Sequence, residues 1–262
     1  MIDTPAVRRR QVPAVTRAVA ILRHLGRASE PIGVNRLARE LELVPSTCLH
    51  ILRALMEEGL VDFDHHTKRY TLGIGILAIA RGAIVRNTFA SLVEPRLTEL
   101  SRSFGGTALA TQLADTEHMV VVALSRVQQP FRLQVDLGSR FPALISATGR
   151  CHAAFNLAGM ADNELEARFA ELHWDHPPRF AAWKREVGQV RKKGYGVDSG
   201  AYISGITIIA VPLLDNAGRM THSIVAIDIT ERLDPSGAEA VARRMLEIRD
   251  GLRELLPDGA VQ

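Results

Sequence analysis

A chain of 262 residues with a formal net charge of +3 is long enough for two domains, each with its own core. Apolar residues make up 47% and charged residues 23%, which excludes a disordered chain, and no apolar run reaches the length of a membrane-spanning helix. Two cysteines, Cys48 and Cys151, exclude a disulfide framework, and the N-terminus has no apolar leader, so the expected location is a reducing cytoplasm.

The charge is unevenly spread. Residues 1–90 hold 13 Lys and Arg against 8 Asp and Glu, a net of +5, and the remainder holds 19 against 21, a net of −2. A basic portion followed by a nearly neutral one fits a nucleic-acid module joined to a domain with another task, although +5 over 90 residues is also within ordinary scatter.

Residues 1–12, with Arg8, Arg9 and Arg10, read either as a basic arm along a DNA backbone or minor groove or as a solvated tail. A first helix is expected over 15–25, with Val15, Ala18, Val19, Leu22 and Leu25 at helical spacing and Gly26 as its stop. A second is expected over 34–41, with Gly33 as N-cap and Val34, Leu37, Ala38 and Leu41 facing inward. A short turn, Glu42-Leu43-Val44, leads to Pro45, which opens a third helix where its missing N–H costs nothing. On a helical wheel Cys48, Leu49, Leu52, Leu55 and Met56 fall on one side, and Ser46, Thr47, His50, Arg53 and Glu57 on the other. This is the layout of a helix-turn-helix whose third helix offers small hydrogen-bonding side chains at the N-terminal end of its outward face.

Gly59 suits the left-handed end of that helix. Two strands are expected over 60–63 and 69–72, and the polar loop between them completes a wing. Lys68 and Arg69 are placed to meet phosphate. His65 and His66 suggest metal only weakly, because adjacent loop side chains rarely converge on one ion. The run 73–88 is apolar on most faces and reads as a linking helix that packs against a partner, most economically a second subunit.

From Ala90 the pattern changes. Helices are expected over 92–103, 147–157, 162–172, 180–193 and 234–256, and strands over 107–113, 119–125, 131–135, 195–198, 205–214 and 220–229. Strands, then helices, then strands imply an α+β domain with a mainly antiparallel sheet.

The chain resembles the IclR family of bacterial transcriptional regulators over about residues 15–255. In the first part the resemblance rests on Thr16-Arg17-Ala18-Val19, Leu37-Ala38, Pro45-Ser46-Thr47, Glu58-Gly59-Leu60-Val61 and Arg69-Tyr70-Thr71-Leu72-Gly73. In the second it rests on Gly138-Ser139-Arg140-Phe141-Pro142, Ala147-Thr148-Gly149-Arg150, Gly194-Tyr195-Gly196-Val197-Asp198, Ile209-Ala210-Val211-Pro212 and Arg232-Leu233. The resemblance implies an N-terminal winged helix-turn-helix plus a C-terminal GAF/PAS-like α/β effector-binding domain. Expected segments are a basic arm at 1–12, the DNA-binding domain at 13–74, a linker helix at 75–90 and the effector-binding and oligomerisation domain at 91–262. It also implies a homodimer or dimer of dimers, a near-palindromic double-stranded operator and a small organic acid effector. No cofactor, metal or catalytic residue is expected.

Several positions depart from the family pattern. Glu42 stands where the turn usually has Gly, which strains a left-handed backbone. Gly106 replaces a frequent Glu, and Arg150 replaces the usual Lys. Ile208 stands at a frequent pocket Cys, and Val225 and Ile227 at positions often Ser.

On the DNA side Ser46 and Thr47 are expected at phosphate or base edges, His50 and Arg53 at bases, and Arg17, Arg36, Lys68 and Arg69 at the backbone. Arg53 could instead pair with Glu57 on a solvated face. On the ligand side the backbone N–H groups of Ala147 and Thr148 suit a carboxylate at a helix start. The resemblance places Asp198, Ile208, Val225 and Ile227 around the same cavity, whose aliphatic character points to an aromatic or otherwise apolar acid. The rival readings are a tight core with no ligand, a DNA-binding protein without sensing, and an enzyme. Cys151 and His152 stand about 100° apart on a helix and form no catalytic pair alone. His173 and His176 lack a third ligand.

Overall fold

The computed structural model describes residues 12–86, 88–127 and 135–255. The arm over 1–11 and most of the strand expected over 131–135 lie outside them. The chain divides into two compact units, Met1–Arg86 and Asn87–Gln262.

The first unit holds α1 (Pro13–Arg27), β1 (Ile32–Gly33), α2 (Val34–Glu40), α3 (Pro45–Glu57), β2 (Val61–Asp64), β3 (Arg69–Leu72) and α4 (Gly75–Arg86). The strands form an antiparallel sheet in the order β1-β3-β2. Ile21, Leu25, Leu37, Ala38, Cys48, Leu52, Leu55, Val61 and Tyr70 make its core. Gly33 caps α2 in extended conformation, as expected, and Gly59 adopts φ +66 just beyond α3.

Two expectations for α1 fail. Gly26 does not stop it, because the helix runs on to Arg27 and ends where the Ala28 N–H bonds to the Leu25 carbonyl. Val15 and Val19 face outward, 61% and 36% exposed, while Ile21 is fully buried. Apolar residues occupy more than one arc of this helix, and Ile21 with Leu25 is the arc that meets α3 and the wing. The two-residue β1 was not expected; it bridges to the wing through Ile32 opposite Tyr70.

Glycine decides how α4 leaves the wing. A Cβ on Gly73 would lie 2.4 Å from the Gly59 carbonyl oxygen, and one on Gly75 2.6 Å from it. This close approach lets the Gly73 N–H bond to Leu60 O and the Gly75 N–H to Gly59 O, at 2.9 and 3.0 Å. The start of α4 is therefore fixed to the end of α3 backbone to backbone.

The second unit holds α5 (Thr88–Phe104), β4 (Thr107–Leu113), β5 (His118–Leu124), β6 (Arg140–Pro142), α6 (Ser146–Asn156), α7 (Asp162–Ala170), α8 (Phe180–Lys193), β7 (Gly196–Ser199), β8 (Ile206–Leu214), β9 (Met220–Ile229) and α9 (Pro235–Leu255). One antiparallel sheet runs β6-β5-β4-β9-β8-β7. The edge strand beside β5 is β6, paired through His118 opposite Pro142 and Val120 opposite Arg140.

Both faces of this sheet are covered, which is why β8 and β9 read as nearly continuous apolar runs. One face sets Ala108, Ala110, Ile209, Val211, Ile224 and Ala226 against Val93 and Leu97 of α5 and Ala242 and Met245 of α9. The other sets Leu109, Ile208, Ala210, Val225 and Ile227 against Ala147, Cys151 and Ala154 of α6 and Val190 of α8. A satellite of Leu165, Phe169 and Trp183 packs α7 and α8 against Ala153.

Candidate functional site

The first unit presents the start of α3. Val44 is its N-cap and makes no side-chain cap, and Pro45 takes the first position. The first bond back along the chain is Cys48 N–H to Val44 O, so the N–H groups of Ser46 and Thr47 meet no acceptor among the described residues. Ser46, His50 and Arg53 are exposed and Thr47 is half-buried, while Cys48 and Leu52 are fully buried beneath them. Among the described residues Arg53 makes no ion pair, with Glu57 or any other group. Glu42 does adopt the left-handed conformation, at φ +52.

The remaining cations expected at DNA are less uniform in their surroundings. Arg17 is exposed on α1. Arg36 donates through Nε to Glu40 at 2.7 Å, and Glu40 also meets His24 Nε2 at 2.7 Å. Arg36 thus has a local acid to satisfy, and that hydrogen bond holds the Glu40 carboxyl below its usual range. In the wing the Asp64 carboxylate accepts from the His66 N–H and the Thr67 hydroxyl, closing a turn with Lys68 at φ +56. Arg69 is exposed and reaches the Pro31 carbonyl at 3.4 Å.

The second unit has a helix start of the opposite kind. Ser146 through Ala154 are all buried. Ser146, the first residue of α6, is held at φ +59 while only 3% exposed. The first bond along the helix is Gly149 N–H to Ile145 O, which leaves the N–H groups of Ser146, Ala147 and Thr148 with no acceptor among the described residues. A Cβ on Gly149 would stand 1.8 Å from the Leu144 carbonyl oxygen, so only glycine allows the preceding loop to pass this close.

All six expected ligand residues lie in this region of the second unit. Ala147, Ile208, Val225 and Ile227 belong to one apolar cluster, and Thr148 is 1% exposed in the same first turn of α6. Strand register lines up Asp198 with Ile208, Ile208 with Ile227, and Ile227 with Thr107. Asp198 is engaged: its Oδ2 accepts from Arg150 Nη1 at 2.8 Å and its Oδ1 from the Tyr202 N–H at 3.0 Å. An open cleft of about 390 Å³ lies away from these residues, along Ser199, Gly205, Thr230 and Glu231.

Three features of this face escaped the sequence reading. Arg150, 48 residues from its partner Asp198, was noted only as a substitution. Thr111 and Ser223 share a buried hydroxyl hydrogen bond of 2.6 Å on an otherwise apolar surface. Thr107 is 6% exposed, with its hydroxyl unpartnered among the described residues. Alternation in β4 and β9 places all three hydroxyl side chains on the α6 face, which was the available signal.

The Cys151 and His152 pair has no nucleophilic character. Burial pushes the Cys151 thiol up to about 12, and its Sγ donates to Ala210 O. Burial pulls His152 down to about 4, so it is neutral at ordinary pH. His176 hydrogen-bonds Ser204, and the described residues contain no cluster of three or more metal-ligating groups.

Family models match both units. "IclR helix-turn-helix domain" covers residues 14–65, and "Bacterial transcriptional regulator IclR C-terminal" covers 82–249. The chain belongs to the IclR family of transcriptional regulators. It is similar to the glycerol operon regulatory protein of Streptomyces griseus, 26% identical over 231 residues that span 88% of this chain and 90% of the relative. It is also similar to the HTH-type transcriptional repressor AllR of Escherichia coli, 23% identical over 84% of this chain and 81% of that one. The crystal structure of an IclR transcriptional regulator from Alicyclobacillus acidocaldarius shares the fold, with a TM-score of 0.79 at 23% identity over 93% of this chain and 98% of that chain. These IclR relatives are named regulators and repressors, not enzymes. No described helix is long and apolar enough to cross a membrane.

Proposed function

We propose that this IclR-type regulator binds a near-palindromic operator as a dimer and that a small effector, an aromatic or otherwise apolar organic acid, tunes that binding. The observation that supports the ligand reading is the buried first turn of α6, whose three N–H groups meet no acceptor among the described residues and whose Ala147 packs in one apolar cluster with Ile208, Val225 and Ile227. A carboxylate suits such a helix end, where backbone donors and the dipole act together. The Ala147 and Thr148 N–H groups would take the carboxylate, and Ile208, Val225 and Ile227 would take the apolar body.

On the DNA side Ser46 and Thr47 meet phosphate or base edges, His50 and Arg53 read bases, and Arg17, Arg36, Lys68 and Arg69 hold the backbone. Exposed apolar residues support a dimer. Val15 and Val19 of α1 are 61% and 36% exposed, and Ile74, Leu77 and Ile79 around the start of α4 are 77%, 61% and 67% exposed. Because α4 is fixed to the end of α3, a ligand that favours one arrangement of two linking helices sets the spacing of two recognition helices.

Fluorescence anisotropy on DNA from upstream of the protein's own gene tests this, with and without a panel of aromatic and short oxo-acids. The expected result is one specific site whose affinity changes with an aromatic acid. Response only to short polar acids overturns the apolar-pocket reading. Uniform coating of random DNA, indifferent to every acid, favours a DNA-binding protein without sensing.

A further inference from the structure

The loop at the tip of the wing has a backbone that favours glycine and a lysine in its place. Lys68 holds φ +56, and its N–H returns to the Asp64 carbonyl at 2.8 Å. A left-handed residue is easiest as glycine, because any Cβ crowds the following carbonyl oxygen. The chain thus bears strain at a position where it also gains a cation.

That cation is held. Lys68 Nζ stands 5.9 Å from the centroid of the Phe63 ring, within reach of the negative ring face. His65 stands nearly perpendicular to the same ring, 5.0 Å between centroids at 80°. Phe63 lies opposite Tyr70 in the strand pair, their rings 4.7 Å apart. Tyr70 is 5% exposed in the core of the first unit, so the Phe63 ring rests on a fixed neighbour. Burial raises the Tyr70 phenol and the charge of Arg53 pulls it back, so Tyr70 also lies within electrostatic reach of the arginine on the outward face of α3. A line therefore runs from Arg53 through Tyr70 and Phe63 to Lys68, from α3 to the wing tip.

The nearest acid does not compete for this lysine. The Thr67 hydroxyl and the His66 N–H donate to the Asp64 carboxylate and hold it below its usual range. Among the described residues Lys68 makes no ion pair. A free lysine loses much rotamer freedom when it meets a phosphate, and a ring that already restrains it lowers that loss.

We propose that Phe63 is a positioning residue for DNA: its ring holds the Lys68 ammonium where the wing meets a phosphate. This rests on the reading of Lys68 as a backbone contact.

The test is fluorescence anisotropy of the full-length protein on duplex DNA from upstream of its own gene, across a range of salt. The logarithm of affinity falls with the logarithm of salt by about 0.9 for each phosphate neutralised. Lys68→Gln should reduce that slope by about 0.9 for each wing engaged. Phe63→Leu keeps an apolar side chain against Tyr70 and frees Lys68. It should weaken binding roughly threefold for each wing, while Phe63→Tyr stays at the wild-type value. In a Lys68→Gln background Phe63→Leu should cost nothing further. An unchanged slope in Lys68→Gln overturns the wing's phosphate contact, and the positioning role with it. A reduced slope there, together with either unchanged affinity in Phe63→Leu or an equal loss from it in the Lys68→Gln background, overturns the positioning role alone. Wild-type protein gives an independent reading by NMR, because the ring current of Phe63 should move the Lys68 ε-methylene protons upfield of the other lysines. Their coincidence with the other lysines overturns the proposal even where Phe63→Leu does not fold.

Discussion

The starts of α3 and α6 are built alike and placed oppositely. Each follows an apolar N-cap, Val44 or Ile145, that supplies no side-chain acceptor. Each leaves backbone N–H groups unpaired, with the same partial positive charge at the helix end. At α3 this end faces solvent, where salt screens it, and exposed arginine and lysine must add most of the attraction for a phosphate polymer. At α6 it is buried, so the unscreened N–H groups suit one small anion, and the nearest full charges are a matched pair. On the proposed reading, exposure more than the helix end itself would decide which anion each end serves.

The largest expected effect breaks this contrast at α6. Gly149→Ala places a Cβ 1.8 Å from a backbone oxygen that no rotamer can move. The second unit should lose about 4 kcal/mol or more, as the most disruptive core substitutions do. Urea unfolding followed by the fluorescence of Trp174 and Trp183 reads the second unit, which holds both tryptophans. A substitution within 1 kcal/mol of wild type there would mean the Leu144 loop is free to withdraw.

Acid should separate the two units next. His152 and His222 are 1% and 2% exposed, and burial lowers each from 6.5 to about 4. The unfolded chain therefore binds more protons between these values. Stability is complete above pH 6.5 and is lost as pH falls toward about 4, by about 3 kcal/mol for each imidazole. Urea midpoints at pH 7 and pH 4.5 should fall for the second unit, and His222→Phe, which keeps the ring against Phe89, should flatten the slope. An equal slope in that variant rules out His222 as a source.

Much of the reader was legible because its signals are local. Pro45, Gly59 and the apolar spacing of Cys48, Leu52 and Leu55 mark α3 within one residue of its observed ends. β4 and α8 follow equally well from alternation and from a terminal glycine, Gly194 at φ +81. What failed depends on distant partners. The buried arc of α1 is chosen by α3 and the wing, and periodicity alone admits Val15 and Val19 as readily as Ile21. Arg150 and Asp198 meet only because α6 lies over β7, and the left-handed Ser146 carries no glycine to announce it.

Base reading by α3 gives a smaller effect. Arg53→Ala should weaken operator binding by about 1–3 kcal/mol and relax preference at one base position, while leaving the unfolding midpoint of the second unit unchanged. Footprinting with unchanged affinity and preference would assign Arg53 to the solvated face instead.

The smallest effect concerns the turn before α3. Glu42 holds φ +52 although it is not glycine, and its side chain is exposed. Replacing it with glycine removes the clash between Cβ and the backbone but adds freedom to the unfolded chain, and the two oppose each other. The clash costs about 1–2 kcal/mol and the added freedom somewhat less, so Glu42→Gly should stabilise the first unit by about 0.5–1 kcal/mol. Removing an acid beside the α3 start should also strengthen DNA binding slightly at low salt, an effect that fades as salt rises. Glu42→Gln separates the two contributions: it keeps the strain, so it should raise DNA affinity without raising the unfolding midpoint. A midpoint that rises equally in both variants would locate the cost in charge, and the left-handed turn would then carry no measurable strain.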